Sequence, residues 1–158
     1  MEVVRCNEND YETLAGIWER SVLATHSFLK EKDFNEIKAA LIPYYFPEVD
    51  LYAIADNGVY AGFIGLRQDS IEMLFIDSDC RGQGYGSALI EFAKQHGATK
   101  VDVNEQNTSA LNFYKAKGFR MIGREESDGA GRPYPILHLS LRIVRFALAK
   151  NPQVAGHS

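Results

Sequence analysis

The clearest pattern of apolar and polar positions along the chain is a pair of strand-like runs, LYAIAD and VYAGFIGL, on either side of Asn57-Gly58. This dipeptide tolerates the positive φ angles of a tight turn, so residues 51–66 are predicted to form a β-hairpin. Other short apolar runs predict further strands at 2–6, 70–76, 99–104, 119–125 and 135–141.

Four other stretches carry apolar residues at the spacing of amphipathic helices. They are predicted as helices over 11–23, from Phe34 to Leu41, over 85–96 and over 108–117. Asp10 and Asn107 stand where N-caps belong, and Gly118 stands where a helix commonly ends. Strands and helices in this order predict an α/β domain with a mixed central sheet.

Length and composition narrow the class of protein. The 158 residues, 46% of them hydrophobic, fit one globular domain, which we assign to residues 1–142. We expect residues 143–158 to be a basic C-terminal extension, a short helix followed by a frayed tail. Two cysteines and no Cys/His cluster predict neither a disulfide framework nor a metal site. Cys80 precedes a predicted helix N-terminus, which can lower a thiol pKa, but we expect it to fill a turn.

Charge and hydropathy argue against several partners. The net charge is −4, yet residues 142–158 carry three basic and no acidic side chains, which leaves 14 basic and 21 acidic side chains elsewhere. An acidic body of this kind argues against general nucleic-acid binding. No apolar run approaches the ~20 residues that span a bilayer, and the N-terminus lacks a signal-peptide pattern. We therefore expect a cytoplasmic protein with no nucleic-acid and no membrane partner.

Residues 74–97, LFIDSDCRGQGYGSALIEFAKQHG, contain the most unusual local pattern of the chain. A strand-like run ends, a polar turn follows, and Arg81 precedes three glycines at the entrance of a predicted helix. The first N–H groups of a helix lack intrahelical partners, and glycines let phosphate oxygens reach them. The pattern favours a phosphate or pyrophosphate cradle over a flexible connector.

Two common nucleotide-binding patterns fit this turn poorly. The Walker pattern GxxxxGK[ST] is absent. A dinucleotide fingerprint would use Gly82-Gln-Gly84 and, in the following strand, Asp102. The glycines, however, come after an antiparallel hairpin, and Asp102 falls inside its strand instead of at the end, where the ribose would lie. Nicotinamide-nucleotide binding is therefore the weaker hypothesis.

Two segments resemble the motifs of one enzyme superfamily. Arg81-Gly-Gln-Gly84-Tyr-Gly86 resembles the [RQ]xxGx[GA] pattern of the GNAT acyl-CoA N-acyltransferases, and LFIDSDCRGQGYGSALIEFA resembles the strand, turn and helix around it. NTSALNFYKAKGFR, at 107–120, is similar to the second motif of the family. The predicted order of elements matches from about residue 2 to residue 141.

The resemblance implies a fold and a reaction for a single-domain enzyme of bacterial type. The implied fold is α/β, a central mixed sheet of about seven strands with a splayed parallel pair (70–76 and 99–104), flanked by about four helices. The implied reaction transfers an acetyl group from acetyl-CoA, without a metal, to a primary amine of a small molecule or peptide by direct attack. A non-catalytic acyl-CoA-binding module on the same fold is the alternative.

The resemblance also assigns the coenzyme A contacts. Backbone N–H groups of residues 82–87 would bind the pyrophosphate, and side chains at the three glycines would block that approach. The edge of the strand that ends at Ile76 would pair with the pantetheine arm, and one N–H near Leu74 would face the thioester oxygen. The expected cofactor contacts are Leu74, Phe75, Ile76, Arg81, Gly82, Gln83, Gly84, Tyr85, Gly86, Ser87, Asn107 and Tyr114.

Two residues carry the catalytic expectations that follow from the resemblance. Tyr114 matches a family tyrosine beside the thioester sulfur and would protonate the departing thiolate, although it could equally be a core aromatic residue. Glu72 lies where several relatives keep a base for the acceptor ammonium, and a family-type bulge would break its alternation with Leu74. The reserve bases are Glu105, His26 and His138.

The acceptor itself is not named by these motifs. We expect the first two helices, the aromatic PYYFP loop at 43–47 and the loop at 126–135 to recognise it. The aromatic walls would come from Tyr44, Tyr45, Phe46 and Tyr134. A polyamine, an antibiotic, an amino acid and a protein amine all stay open, as does the choice between a monomer and a homodimer.

Overall fold

A computed structural model describes residues 1–141 of the protein. The predicted extension over 143–158 lies outside the described residues. The chain divides into two compact units, an N-terminal unit from Met1 to Thr99 and a C-terminal unit that begins at Lys100. Seven strands and four α-helices are found within residues 1–141.

The N-terminal unit contains four antiparallel strands in the spatial order β1-β2-β3-β4. Their bounds are Glu2–Arg5 (β1), Asp50–Asp56 (β2), Val59–Arg67 (β3) and Ser70–Ile76 (β4). The helices of this unit are Tyr11–Thr25 (α1), Glu31–Ala40 (α2) and Tyr85–Gln95 (α3). Asn57 and Gly58, at φ 54° and 77°, make the turn of the predicted β2–β3 hairpin, which is therefore confirmed.

Both faces of β3 are covered by helices. Six consecutive residues, from Ala61 to Leu66, are buried, and a strand with alternating side chains reaches this only when both of its faces are packed. Phe63 belongs to one core cluster with Ile17 and Trp18 of α1, so Ile64 points to the opposite face. Both α1 and α3 pack against β3 and β4. Strand β4, which carries the candidate base, is therefore held by both helices.

The start of α1 differs from the prediction in its cap. Helix α1 is present, but the side chain of Asp10 makes no cap hydrogen bond to it. Asp10 instead accepts from the backbone N–H of Asn7 at 3.0 Å and from the Tyr60 hydroxyl at 3.1 Å. Asn7 and Asp10 together form a capping box around a short 3-10 turn over Glu8–Asp10. The prediction failed because this extra turn moves the cap three residues upstream.

The aromatic segment after α2 is helical and not a loop. Leu41–Tyr45 form a π-helical turn, and Phe46–Glu48 form a 3-10 turn that leads into β2. Leu41 and Phe46 are fully buried in the same core as α1. Burial of these two side chains keeps the backbone helical past Pro43, where the sequence predicted a loop.

The C-terminal unit is described as far as Leu141. Its strands are Lys100–Asn104 (β5), Phe119–Glu125 (β6) and Ile136–Leu141 (β7), and its helix is Thr108–Ala116 (α4). Strand β7 lies between β5 and β6 and pairs antiparallel with both. Helix α4 packs against β5 and β6 and ends before Gly118, whose φ is 100°. The predicted helix end is confirmed to within one residue.

Candidate active site

The glycine turn has the geometry of an anion cradle. Gly82 and Gly84 have φ of 77° and 87°, which L side chains rarely adopt, and a Cβ on either would meet nothing within 4 Å. The space beside this backbone is therefore open to a ligand. Helix α3 starts at Tyr85, and its hydrogen-bond ladder begins only with Ala88 N–H donating to Gly84 O at 3.1 Å. The N–H groups that precede Ala88 lie at the positive end of the helix dipole, and together these features fit a pyrophosphate group.

An ion pair between a buried carboxylate and a half-exposed arginine, which the sequence did not reveal, fixes the start of this turn. Arg20 of α1 donates through Nε and Nη2 to the two carboxylate oxygens of Asp77, at 2.9 and 2.8 Å. Asp77 also accepts from Ser78 N–H at 2.8 Å, and its own N–H donates to Ala61 O at 2.8 Å. Hydrogen bonding to Arg20 lowers the pKa of the Asp77 carboxyl and raises the pKa of the guanidinium. The pair is invisible in the sequence because its members are 57 positions apart.

The side chains of the other residues expected in this turn differ in their exposure. Arg81 and Gln83 are exposed. Tyr85 is 7% exposed and donates its hydroxyl to Asp56 at 2.7 Å, and this hydrogen bond raises the Tyr85 pKa. The Tyr85 side chain is thus committed to the β2–β3 hairpin, and its backbone N–H is the group that a ligand could use.

Strand β4 carries a bulge at Glu72. Gly65 of β3 lies opposite Met73, and the next residue, Leu66, lies opposite Ile71, which leaves Glu72 as the extra residue. A bulge re-aims a side chain, and as a result Glu72 and Met73 line the same pocket although they are neighbours in the strand. A bulge of the kind that the resemblance brought into consideration is therefore present in β4.

That pocket has a volume of about 380 Å³ and lies within the N-terminal unit. Its apolar lining comes from helix α1, the segment from α2 to β2, and strand β4: Trp18, Ile37, Leu41, Val49, Met73 and Phe75. Its polar lining comes from Tyr45, Glu48, Arg67 and Glu72, all of them exposed. Arg67 and Glu72 form a loose ion pair, with Nη2 and Oε1 3.6 Å apart.

Only one of the four predicted aromatic walls lines this pocket. Tyr45 does so. Tyr44 is 69% exposed, Phe46 is fully buried in the core, and Tyr134 is buried in the C-terminal unit. The helical path of residues 41–48 spreads these adjacent aromatic side chains over different directions, whereas the prediction of a loop treated them as one wall.

In the C-terminal unit, Asn107 and Tyr114 occupy structural positions. Asn107 caps α4, because its Oδ1 accepts from Ala110 N–H at 3.1 Å. Tyr114 is 7% exposed, and its ring packs edge-on against Phe119 with centroids 5.7 Å apart. Burial raises the Tyr114 pKa, so its hydroxyl keeps its proton at neutral pH. Both observations are compatible with the expected cofactor contacts and do not test them.

The reserve bases are engaged elsewhere. Arg124 donates to both carboxylate oxygens of Glu105, at 2.8 and 2.9 Å, and lowers the Glu105 pKa. His138 lies between Asp102 and Glu125, at 2.7 and 2.9 Å, and these hydrogen bonds raise its pKa.

His26 is the third reserve base, and burial lowers its pKa. None of these three residues lines the pocket that holds Glu72.

Cysteine and metal chemistry receive no support in the part of the chain that the structure describes. The pKa of Cys80 is raised, first by burial and then by its hydrogen bond to Asp79, which contradicts the lowering that a helix N-terminus would give. Cys80 ends a 3-10 turn and does not adjoin α3, which explains the difference.

Within residues 1–141, no group of three or more His, Cys, Asp or Glu side chains could hold a metal ion. No helix described is long and apolar enough to cross a membrane.

Comparison with known proteins identifies the class. Residues 23–132 match the family model of the acetyltransferase (GNAT) domain. The chain therefore belongs to the GNAT family of acetyltransferases and is an enzyme. It is 42% identical over 142 residues to peptidyl-lysine N-acetyltransferase YjaB of Salmonella typhimurium, across 88% of this chain and 97% of that protein.

Solved structures agree with this assignment. The solution structure of apo-form YjaB from Escherichia coli is similar at a TM-score of 0.81 and 38% identity, over 88% of this chain and 95% of that chain. A PaiA N-acetyltransferase from Thermoplasma acidophilum, crystallised in complex with coenzyme A, shares the fold at a TM-score of 0.65 and 18% identity, over 87% of this chain and 96% of that chain. The predicted α/β GNAT fold and the prediction of an enzyme are confirmed. The splayed strand pair, the domain bounds and the assigned cofactor and catalytic residues stay predictions.

Proposed function

We propose that this enzyme transfers the acetyl group of acetyl-CoA to the ε-amine of a lysine side chain in a peptide or protein. The observation that carries the proposal is the pocket at the Glu72 bulge, with its apolar lining and its exposed carboxylates. A lysine side chain is a long apolar stem that ends in an ammonium, and such a pocket complements both parts. The similarity to a relative named as a peptidyl-lysine N-acetyltransferase supports the same acceptor.

The glycine turn would hold the cofactor. Bound there, acetyl-CoA would supply an activated acetyl thioester. Backbone N–H groups of residues 82–87 would bind the pyrophosphate, Arg81 would add a positive charge, and Gln83 is exposed beside them. The β4 segment from Leu74 to Ile76 would pair with the pantetheine arm through its backbone, and Asn107 would contribute a further contact.

The proton on the acceptor amine would leave through Glu72. A lysine ammonium has a pKa near ~10.4, so most of it is protonated at neutral pH and cannot attack until it loses a proton. Glu72 is exposed, lines the acceptor pocket and is paired only loosely with Arg67. It can therefore accept that proton directly or through a water molecule.

Tyr114 would return a proton to the departing thiolate, as the family resemblance implies. Because burial keeps its hydroxyl protonated, Tyr114 can serve as an acid but not as a base at neutral pH. The cytoplasmic location and the monomeric or homodimeric state stay predictions.

The test is an acetylation assay on two matched peptides. One carries a single lysine and a blocked N-terminus; the other carries a blocked lysine and a free N-terminus. Incubation with acetyl-CoA should acetylate the first peptide, as read by mass spectrometry, and Glu72→Gln should lose most of the rate. Acetylation of the second peptide alone, or of spermidine alone, would contradict the lysine assignment.

A further inference from the structure

We propose that Arg67 is a charge selector at the acceptor pocket. In this role, which rests on the proposed lysine acceptor, Arg67 favours lysines with an acidic neighbour and disfavours acceptors with a second positive charge. The chemical class selected is thus a lysine in an acidic or neutral segment, against polyamines and lysines in basic segments.

The position of Arg67 brings its guanidinium to the pocket without fixing it there. Arg67 is the last residue of β3 and pairs in register with Ser70, two residues before the bulge at Glu72. Its guanidinium reaches Glu72 across 3.6 Å, longer than a direct hydrogen bond, and its side chain is 55% exposed. By contrast, Arg20, which is similarly exposed at 54%, makes two contacts shorter than 3 Å to a buried carboxylate. The pairing of Arg67 is therefore the looser of the two, and its guanidinium can exchange its partner more readily.

The charges of the pocket set what it accepts. Its charged lining residues are Glu48, Glu72 and Arg67, so two negative charges face one positive charge. One acceptor ammonium neutralises the remaining negative charge. A second positive charge on the acceptor would meet the guanidinium of Arg67 with no carboxylate left to balance it.

An acidic neighbour has the opposite effect. When an ammonium occupies Glu72, Arg67 loses part of the counter-charge with which it pairs. Its planar guanidinium can then pair with a carboxylate of the residue beside the acceptor lysine. For exposed charges of this kind, the repulsion of a second positive charge and the attraction of an acidic neighbour should each change kcat/KM by about threefold to fivefold. The change should fall on KM, because the neighbour contacts the enzyme equally before and during the reaction.

The test uses three blocked peptides that differ only in the residue after a single lysine: Asp, Ala or Arg. The wild-type enzyme should rank them Asp, Ala, Arg, with about a tenfold span in kcat/KM between the first and the last. Arg67→Gln should bring the three peptides together, Arg67→Lys should preserve the order, and 1 M salt should flatten it because the Debye length falls to about 3 Å. Arg5→Gln is the matched control, since it removes an arginine of similar exposure, 58%, that pairs with Asp50, and neither residue lines the pocket.

The outcomes separate this inference from the proposed function. Equal rates on all three peptides with the wild-type enzyme, or an unchanged ranking in Arg67→Gln, would overturn the selector and leave lysine acetylation standing. Acetylation of none of the three would overturn the lysine assignment and the selector with it.

Discussion

The glycine turn and the acceptor pocket are built by opposite means. At the turn, the backbone supplies the binding groups, two glycines adopt positive φ, and the bidentate Arg20–Asp77 pair fixes the first residue. At the pocket, side chains from several elements supply the surface, and its one internal ion pair spans 3.6 Å.

This difference separates two tasks within one unit. A turn that binds through backbone groups recognises one invariant chemical group, because backbone donors cannot be changed by substitution without a change of conformation. A pocket lined by exposed, loosely paired side chains can be altered one residue at a time. We therefore assign cofactor binding to the turn and acceptor choice to the pocket.

The largest expected effect comes from filling the turn. Gly84→Leu places a side chain at φ 87° in the space left for the pyrophosphate, and acetyl-CoA affinity should fall by about 100-fold or more. Calorimetric titration measures it. Gly58→Leu is the control, because its backbone is also left-handed, at 77°, and its Cβ also meets open space. Both variants should lose about 1–2 kcal/mol of stability, and an equal loss of affinity in both would break the assignment.

The next largest effect is expected when the proposed base is removed. Glu72→Gln should lower kcat by about 100-fold at pH 7 and leave acetyl-CoA affinity unchanged. The deficit should shrink towards pH 10, where the free amine no longer needs a base. A pH–rate profile measures this, with Glu19→Gln as a control carboxylate outside the pocket. Parallel profiles for wild type and Glu72→Gln would exclude Glu72 as the base.

A smaller effect is expected when the proposed proton donor is removed. Tyr114→Phe should lower kcat by about tenfold, since a thiolate with a conjugate pKa near 8.5 leaves fairly well without help. Acetyl-CoA affinity should change little. Tyr60→Phe is the matched control, because its hydroxyl donates to Asp10 at 3.1 Å and has no assigned role. Equal rates in wild type and Tyr114→Phe would leave Tyr114 a core aromatic residue.

The smallest effect is expected from a substitution that loosens the fixed end of the turn. Asp77→Asn should lower stability by about 1–2 kcal/mol at pH 7 and weaken acetyl-CoA binding severalfold. Arg20 lowers the Asp77 pKa, so the pair stabilises the fold above the ordinary carboxyl pKa. That stabilisation is lost as pH falls through the lowered value.

Urea unfolding at neutral and acidic pH measures this effect. The gap between wild type and Asp77→Asn should close in acid, and a gap that stays constant would contradict the ionic origin. Asp50→Asn, which breaks an exposed pair with Arg5, should change stability by less than about 1 kcal/mol.

The same contrast explains what the sequence could predict. Positive φ angles occur at Gly82, at Gly84 and in the Asn57-Gly58 turn. Because glycine and asparagine favour such angles, these positions can be recognised from the sequence alone. Helices α1 and α3 followed from periodicity, because their buried residues recur at helical spacing. The candidate base Glu72 was predicted from its position on the strand, as the resemblance implies, and the bulge sets the direction of its side chain.

The pocket could not be predicted in the same way. Trp18, Leu41, Arg67 and Met73 come from four different parts of the chain, and no local pattern tells that they meet. The loop predicted for the aromatic segment was wrong, because tertiary burial of Leu41 and Phe46 keeps the backbone helical past Pro43. The Arg20–Asp77 pair was missed for the same reason of distance in sequence.

A calorimetric titration of the wild-type protein with acetyl-CoA, with NAD as the comparison ligand, tests whether the glycine turn is the coenzyme A site. We expect micromolar binding of acetyl-CoA and no binding of NAD. Absence of acetyl-CoA binding to the folded protein, or equal binding of NAD, would contradict the assignment of the glycine turn as the coenzyme A site.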